Sequence, residues 1–120
     1  NILHGKVKAV DQEKLTIEHE SGEFVLLDAQ KKWMVGEKIT VAIRGENIKI
    51  SSENQPNSLE GEVVEKSFAG GMLRIEVQLR DGSHMVISRQ GIDIGYKIGE
   101  RVHLYWQEEQ AIAVDVEVRA

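Results

Sequence analysis

The stretch VAIRGENIKIS, Val41 to Ser51, followed by SENQPNSLEGEVVE, Ser52 to Glu65, decides how the chain is divided. It reads as the end of a strand, a tight turn at Arg44-Gly45-Glu46-Asn47, a second short strand, a polar linker and the start of a new strand. A chain that closes one unit and at once opens another holds either two different small domains or one unit made twice.

Outward from that point the sequence repeats. Asn1-Ile2-Leu3-His4-Gly5-Lys6-Val7 is echoed by Asn57-Ser58-Leu59-Glu60-Gly61-Glu62-Val63, an offset of 56 residues, within the range typical of duplicated units. Leu15-Thr16-Ile17-Glu18 corresponds to Leu73-Arg74-Ile75-Glu76. Ser21-Gly22 before Phe24-Val25-Leu26 corresponds to Asp81-Gly82 before Met85-Val86-Ile87, and Val35-Gly36-Glu37-Lys38-Ile39 to Ile98-Gly99-Glu100-Arg101-Val102. The offset grows along the chain as the second copy takes up extra loop residues. The expected division is a first half at 1–51, a linker at 52–56 and a second half at 57–120, together making one domain.

Each copy reads as strands. In Arg101 to Trp106, the residues Val102, Leu104 and Trp106 share one face and Arg101, His103 and Tyr105 the other, as a half-buried strand requires. Met72 to Leu79 and Gln110 to Val118 alternate similarly. Ser21-Gly22-Glu23 and Asp81-Gly82-Ser83 are hairpin signals. Short helical turns are expected over Lys31 to Val35 and Gln90 to Tyr96. The fold class is therefore all-β: two small five-stranded barrels of the oligonucleotide/oligosaccharide-binding (OB) type from an internal duplication. Each is too small to bury much alone, so the halves are expected to intertwine by exchanging or sharing strands, or to pack on a second chain.

Composition narrows the function. The chain has 120 residues, 41% of them apolar, and no cysteine, which removes disulfides and thiol nucleophiles and fits a reducing compartment. Apolar runs fall far short of the ~20 residues that span a bilayer, and no signal-peptide pattern is present, so this piece is expected to be soluble. Beginning at Asn1, inside a strand, it reads as part of a longer protein. The net charge is −5 and the basic residues are scattered, which disfavours a nucleic-acid partner.

Catalytic and metal constellations are not found in the sequence. Gly70-Gly71 lacks the Lys-Ser/Thr of a phosphate loop and reads as a turn. His4, His19, His84 and His103 are not at metal-ligand spacing, and their alternation with apolar neighbours places them on solvated strand faces. Glu18/Glu20 and Glu108-Glu109 read as solvated charge, the latter in a hairpin turn. No Ser-His-Asp ordering stands out. Catalytic, cofactor and metal residues are accordingly none. Of the aromatics, Trp106 falls on the apolar face and Tyr105 on the outer one, free for contact.

The succession of Asn1 to Val7, Val35 to Ile48, Leu59 to Val63 and Gly99 to Trp106 resembles the C-terminal transport-associated OB-like (TOBE) domain of ABC importer ATP-binding subunits of the maltose, polyamine, iron and molybdate type. Ile43-Arg44-Gly45-Glu46-Asn47 is similar to that family's Arg-Pro-Glu turn, with Gly45 in place of the proline, a change expected to loosen it. The resemblance implies a non-catalytic regulatory and dimerising domain, with ATP and Mg bound elsewhere, in the nucleotide-binding domain. It also implies a homodimer of ATPase subunits, contact with permease subunits through the parent protein, a regulatory protein or small ligand as further partner, and a cytoplasmic place at the inner membrane. Arg44, Glu46, Asn47, Tyr105 and Trp106 are the interface candidates. The alternative is an oxyanion-binding domain like the molbindins, with Ser88 and Arg89 as candidates for molybdate or tungstate; in the first copy the matching position carries Asp28, which repels an anion.

Overall fold

The computed structural model describes residues 1–28, 32–90 and 95–114. Ten strands follow in order: β1 (Ile2–Asp11), β2 (Lys14–His19), β3 (Gly22–Leu27), β4 (Lys38–Ile43), β5 (Lys49–Ser51), β6 (Leu59–Ala69), β7 (Met72–Leu79), β8 (His84–Gln90), β9 (Arg101–Tyr105) and β10 (Ala111–Val114). Two single 3-10 turns interrupt them, a first turn at Gly45–Asn47 and a second at Glu108–Gln110. The described residues hold no α-helix. The helical turns expected over Lys31 to Val35 and Gln90 to Tyr96 fall partly on 31 and 91–94, outside the described residues, and 32–35 and 95–96 are not helical.

The duplication is visible in the pairing. In the first copy β1 pairs with β2 and β4, and β2 with β3; in the second, β6 pairs with β7 and β9, and β7 with β8. All these pairs are antiparallel. The long first strand of each copy carries a bulge at the same place, after Val7 and after Val63. There the Val7 amide donates to Glu37 O at 2.9 Å and the Val63 amide to Glu100 O at 2.9 Å.

The fifth strands cross over. β5 leaves the first copy to pair with β9, and β10 leaves the second to pair with β4. The halves are thus intertwined by exchange, and each OB-like barrel is completed by the other copy. One hydrophobic core runs through both, from Leu3, Ile17 and Phe24 to Ile75, Ile87 and Leu104. Trp106 closes the first barrel from the second copy: it is 9% exposed and meets Phe24 edge-on, with ring centroids 5.2 Å apart.

Gly70-Gly71 forms a two-residue hairpin between β6 and β7 with both φ angles positive, 59° and 76°, as a type I′ turn requires. Two expectations are corrected. Glu108-Glu109 does not lie in a hairpin, since β9 and β10 do not pair with each other; its turn carries the chain from one barrel to the next. Nor are all the histidines solvated. His4 and His84 are exposed, but the His19 side chain is only 1% exposed and that of His103 15%. His19 ends β2 against the β7–β8 hairpin of the other copy, a neighbour that the alternation of one strand does not reveal.

Candidate functional site

The two 3-10 turns are where the copies cross, and the first gathers most of the candidate residues. Arg44 is extended, and the turn then closes with the Asn47 amide donating to Arg44 O at 3.0 Å. It lies against β8 of the second copy so closely that a Cβ on Gly45 would sit 2.6 Å from Val86 O. Beside it the Asn1 side chain pairs with Val86 as a strand backbone would, its Nδ2 donating to Val86 O at 2.8 Å and its Oδ1 accepting the Val86 amide at 2.7 Å. The Arg89 guanidinium donates to the carbonyls of Glu46 at 3.2 Å, Ser88 at 3.1 Å and Ile48.

The glycine that stands where the resembled turn has proline has a steric role here. It allows the close approach to β8. Substituting Gly45→Pro is expected to destabilise the protein by about 1–3 kcal/mol through steric overpacking, read as a lower thermal midpoint in scanning calorimetry.

Arg89 occupies an unusual place in the repeat. The pairing register corrects the sequence match of Leu26 with Ile87 by two residues, because the second copy's hairpin is longer: Leu73 stands opposite Arg89 as Leu15 stands opposite Leu26, and Leu26 is fully buried. A core leucine in one copy is an arginine in the other, its guanidinium engaged by main-chain oxygens. Ser88 beside it is half-buried.

Arg44 and Asn47 rim an open groove of about 460 Å³ floored by Ile2, Ala42 and Ile112, with Glu109 and Gln110 of the second turn opposite. Glu46 is exposed on the same turn. Tyr105 lies apart, half-buried on the outer face of the second barrel opposite Lys49, and Trp106 faces inward. The structure thus joins Arg44 and Asn47, sets Ser88 and Arg89 behind their turn, and separates Tyr105 and Trp106 from them. Sequence reasoning missed Asn1, Glu109 and Gln110. A signal existed for the last two, because the 63-residue offset between Gly36 and Gly99 also aligns Arg44-Asn47 with Gln107-Gln110.

A second polar contact between the copies centres on His19. Its Nδ1 accepts the Ser21 amide at 3.0 Å, so Nε2 carries the proton and donates to Asp81 Oδ2 at 3.0 Å. Ser21 Oγ accepts the Arg80 amide at 2.8 Å, and Ser21 O the Glu60 amide at 2.9 Å. Partial burial pushes the Asp81 carboxyl upward, but the Ser83 hydroxyl and amide, then His19, hold it below the usual carboxylate range. The hydrogen bond from Arg80 holds Glu60 below that range against partial desolvation, helped by Arg101 and His103. Both are charged partners at neutral pH, not groups tuned for proton transfer. Among the described residues no three of His, Asp and Glu converge as metal ligands.

These shifts fix a pH dependence. A carboxylate whose value is lowered by folding contributes stability above its unfolded value, about 4, and that contribution is lost as pH falls through the folded value. Thermal midpoints are expected to fall from pH 5 toward pH 2, and Asp81→Asn to lower the neutral-pH midpoint while flattening part of that acid slope. Urea melts across the same range check the result.

Comparison with known proteins agrees with the architecture. The family model described as TOBE domain matches residues 41–114. The chain is 24% identical over 115 residues to the spermidine/putrescine import ATP-binding protein PotA of Vibrio parahaemolyticus serotype O3:K6 (strain RIMD 2210633), covering 91% of the chain. It spans only 30% of that relative's length. In fold it is similar to the cytoplasmic molybdate-binding protein ModG, with a TM-score of 0.77 at 13% identity and 94% of each chain covered.

Proposed function

From the premise that the chain belongs to the TOBE domain family, we propose that it is the non-catalytic regulatory and dimerising domain of an ABC importer's ATP-hydrolysing subunit. The observation that carries this reading is the match over 91% of the chain to an import ATP-binding protein, through residues that here form one folded unit. In this reading ATP and Mg²⁺ act in a nucleotide-binding domain, the domain itself holds no cofactor, and the parent protein meets permease subunits at the cytoplasmic side of the inner membrane. A regulatory protein or small ligand is a further partner; nucleic acid is not.

The role has a physical basis. A contact that persists while two ATPase halves separate raises their effective concentration for re-engagement. Anything that prefers one arrangement of the contact shifts the ATPase equilibrium by its difference in affinity.

A second reading, oxyanion binding, is favoured by the fold likeness to a molybdate-binding protein and would use Ser88 and Arg89. The three carbonyls around Arg89 weigh against it, since they take three of its five N–H donors. Sedimentation equilibrium with thermal unfolding in molybdate, tungstate, sulfate and phosphate separates the two. The regulatory reading expects a dimer whose midpoint ignores all four anions. A rise with one of them, by mass action on the native state, selects the second. Arg89→Ala is expected to lower the midpoint with or without anion, because it leaves partly buried carbonyls without donors at a cost of about 1–3 kcal/mol.

A further inference from the structure

We propose that the outer face of the first barrel, the row Ile2–Ala42–Ile112, is the surface on which a second copy of this chain docks. The proposal rests on the self-association reading above and names its site. β4 lies between β1 and β10, and Ala42 stands directly opposite both Ile2 and Ile112. The three therefore form one cross-strand row on the solvent side, where Ile2 is 48% and Ile112 62% exposed. The neighbouring row is His4, Thr40 and Val114.

The repeat supplies an internal control. At the equivalent place on the second barrel the row is Ser58, Tyr105 and Lys49, and the neighbouring row is Glu60, His103 and Ser51. The two faces share strand order, register and position in the barrel, yet one is apolar and the other polar and charged. The second face is partly covered, with Ser58 8% exposed against Gly22 and the His103 side chain 15% exposed beside Glu60, so the like-for-like contrast is between the open positions, Ala42 and Ile112 on one barrel and Tyr105 and Lys49 on the other. Exposed apolar rows rimmed by polar residues mark contact surfaces.

The rim selects the occupant. Arg44 and Glu109 border the groove with the amides of Asn47 and Gln110, and neither charge forms an ion pair among the described residues. In a two-fold contact residue i meets residue j and j meets i. With the two-fold axis running along the groove, a second copy brings each Arg44 to the other chain's Glu109 and amide against amide, while the isoleucines close the centre. An acidic partner would be repelled by Glu109 and a basic one by Arg44. A rim bearing one of each fits itself, and it adds no repulsion between two chains that each carry a net charge of −5.

The test is sedimentation equilibrium of the 120-residue chain and four variants, with circular dichroism confirming that each is folded. Ile112→Glu and Arg44→Glu are expected to weaken the dimer at least ~30-fold, as loss of a central contact does. Tyr105→Glu, at the equivalent place on the other barrel, is expected to leave it unchanged. The double variant Arg44→Glu/Glu109→Arg is expected to restore the dimer, which only reciprocal pairing between two copies predicts. A wild-type dimer that survives Ile112→Glu and Arg44→Glu overturns this face while leaving self-association intact; dissociation by Tyr105→Glu instead moves the contact to the second barrel. Failure of the double variant to restore the dimer overturns the two-fold pairing. A wild-type chain that is monomeric at every concentration overturns the self-association reading itself.

Discussion

Produced as two separate chains, residues 1–51 and 57–120 are each expected to show no cooperative unfolding transition, and to regain that of the intact protein when mixed. The first fragment lacks β10, which pairs with β4, and Trp106, which covers Phe24. The second lacks β5, which pairs with β9, and loses the Asn1 side chain and the first turn from β8. Fragments of this size bury too small a share of their surface to tolerate such losses, given a total stability of only about 5–15 kcal/mol for ordinary domains. Thermal melts by circular dichroism on each fragment and on the equimolar mixture decide the matter. A sigmoidal melt from residues 57–120 alone, near the intact midpoint, would contradict the view that the exchanged strands hold the barrels together.

The largest effect of a single substitution is expected for Trp106→Ala, about 3–5 kcal/mol. Trp106 is 9% and Phe24 1% exposed, so truncation opens a cavity at the junction of both copies, and the edge-on ring pair adds about 0.5–1.5 kcal/mol beyond buried area. Its neighbour Tyr105, on the outer face, is expected to cost less than half as much as alanine. Urea denaturation of the two variants gives the comparison directly: a shifted midpoint with the wild-type slope marks a change in native stability. Equal losses at the two positions would mean that the inward and outward faces of β9 have been misassigned.

What could be read from the sequence follows from which interactions are local. The alternation in Arg101 to Trp106 correctly turned Trp106 inward and Tyr105 outward, because neighbouring positions along a strand point to opposite faces. Gly70-Gly71 announced its turn because two consecutive positive φ angles favour glycine. From size alone, either intertwined halves or packing on a second chain was expected. The partner of each exchanged strand was not legible, since an alternating pattern says which side faces a core but not whose core it is. His19 was misread for that reason: its burial comes from Asp81, 62 residues further on. The groove was half legible. Arg44 and Asn47 came from the turn, whereas Glu109 and Gln110 entered only when the pseudo-symmetry of the two crossing turns was seen in space.

The crossing of β5 and β10 also bears on how such a chain can diverge. Duplication usually leaves one copy free to accumulate changes while the other keeps the original structure. Here every barrel is assembled from both halves of the sequence, so a change in either is felt in the other half's core. Arg89, at the pairing position that Leu26 fills in the first copy, is held in β8 by carbonyls of a turn that belongs to the opposite copy. Drift in the two repeats is therefore tied crosswise, and compensating changes are to be sought between the fourth and fifth strands of one repeat and the barrel of the other, not within either repeat.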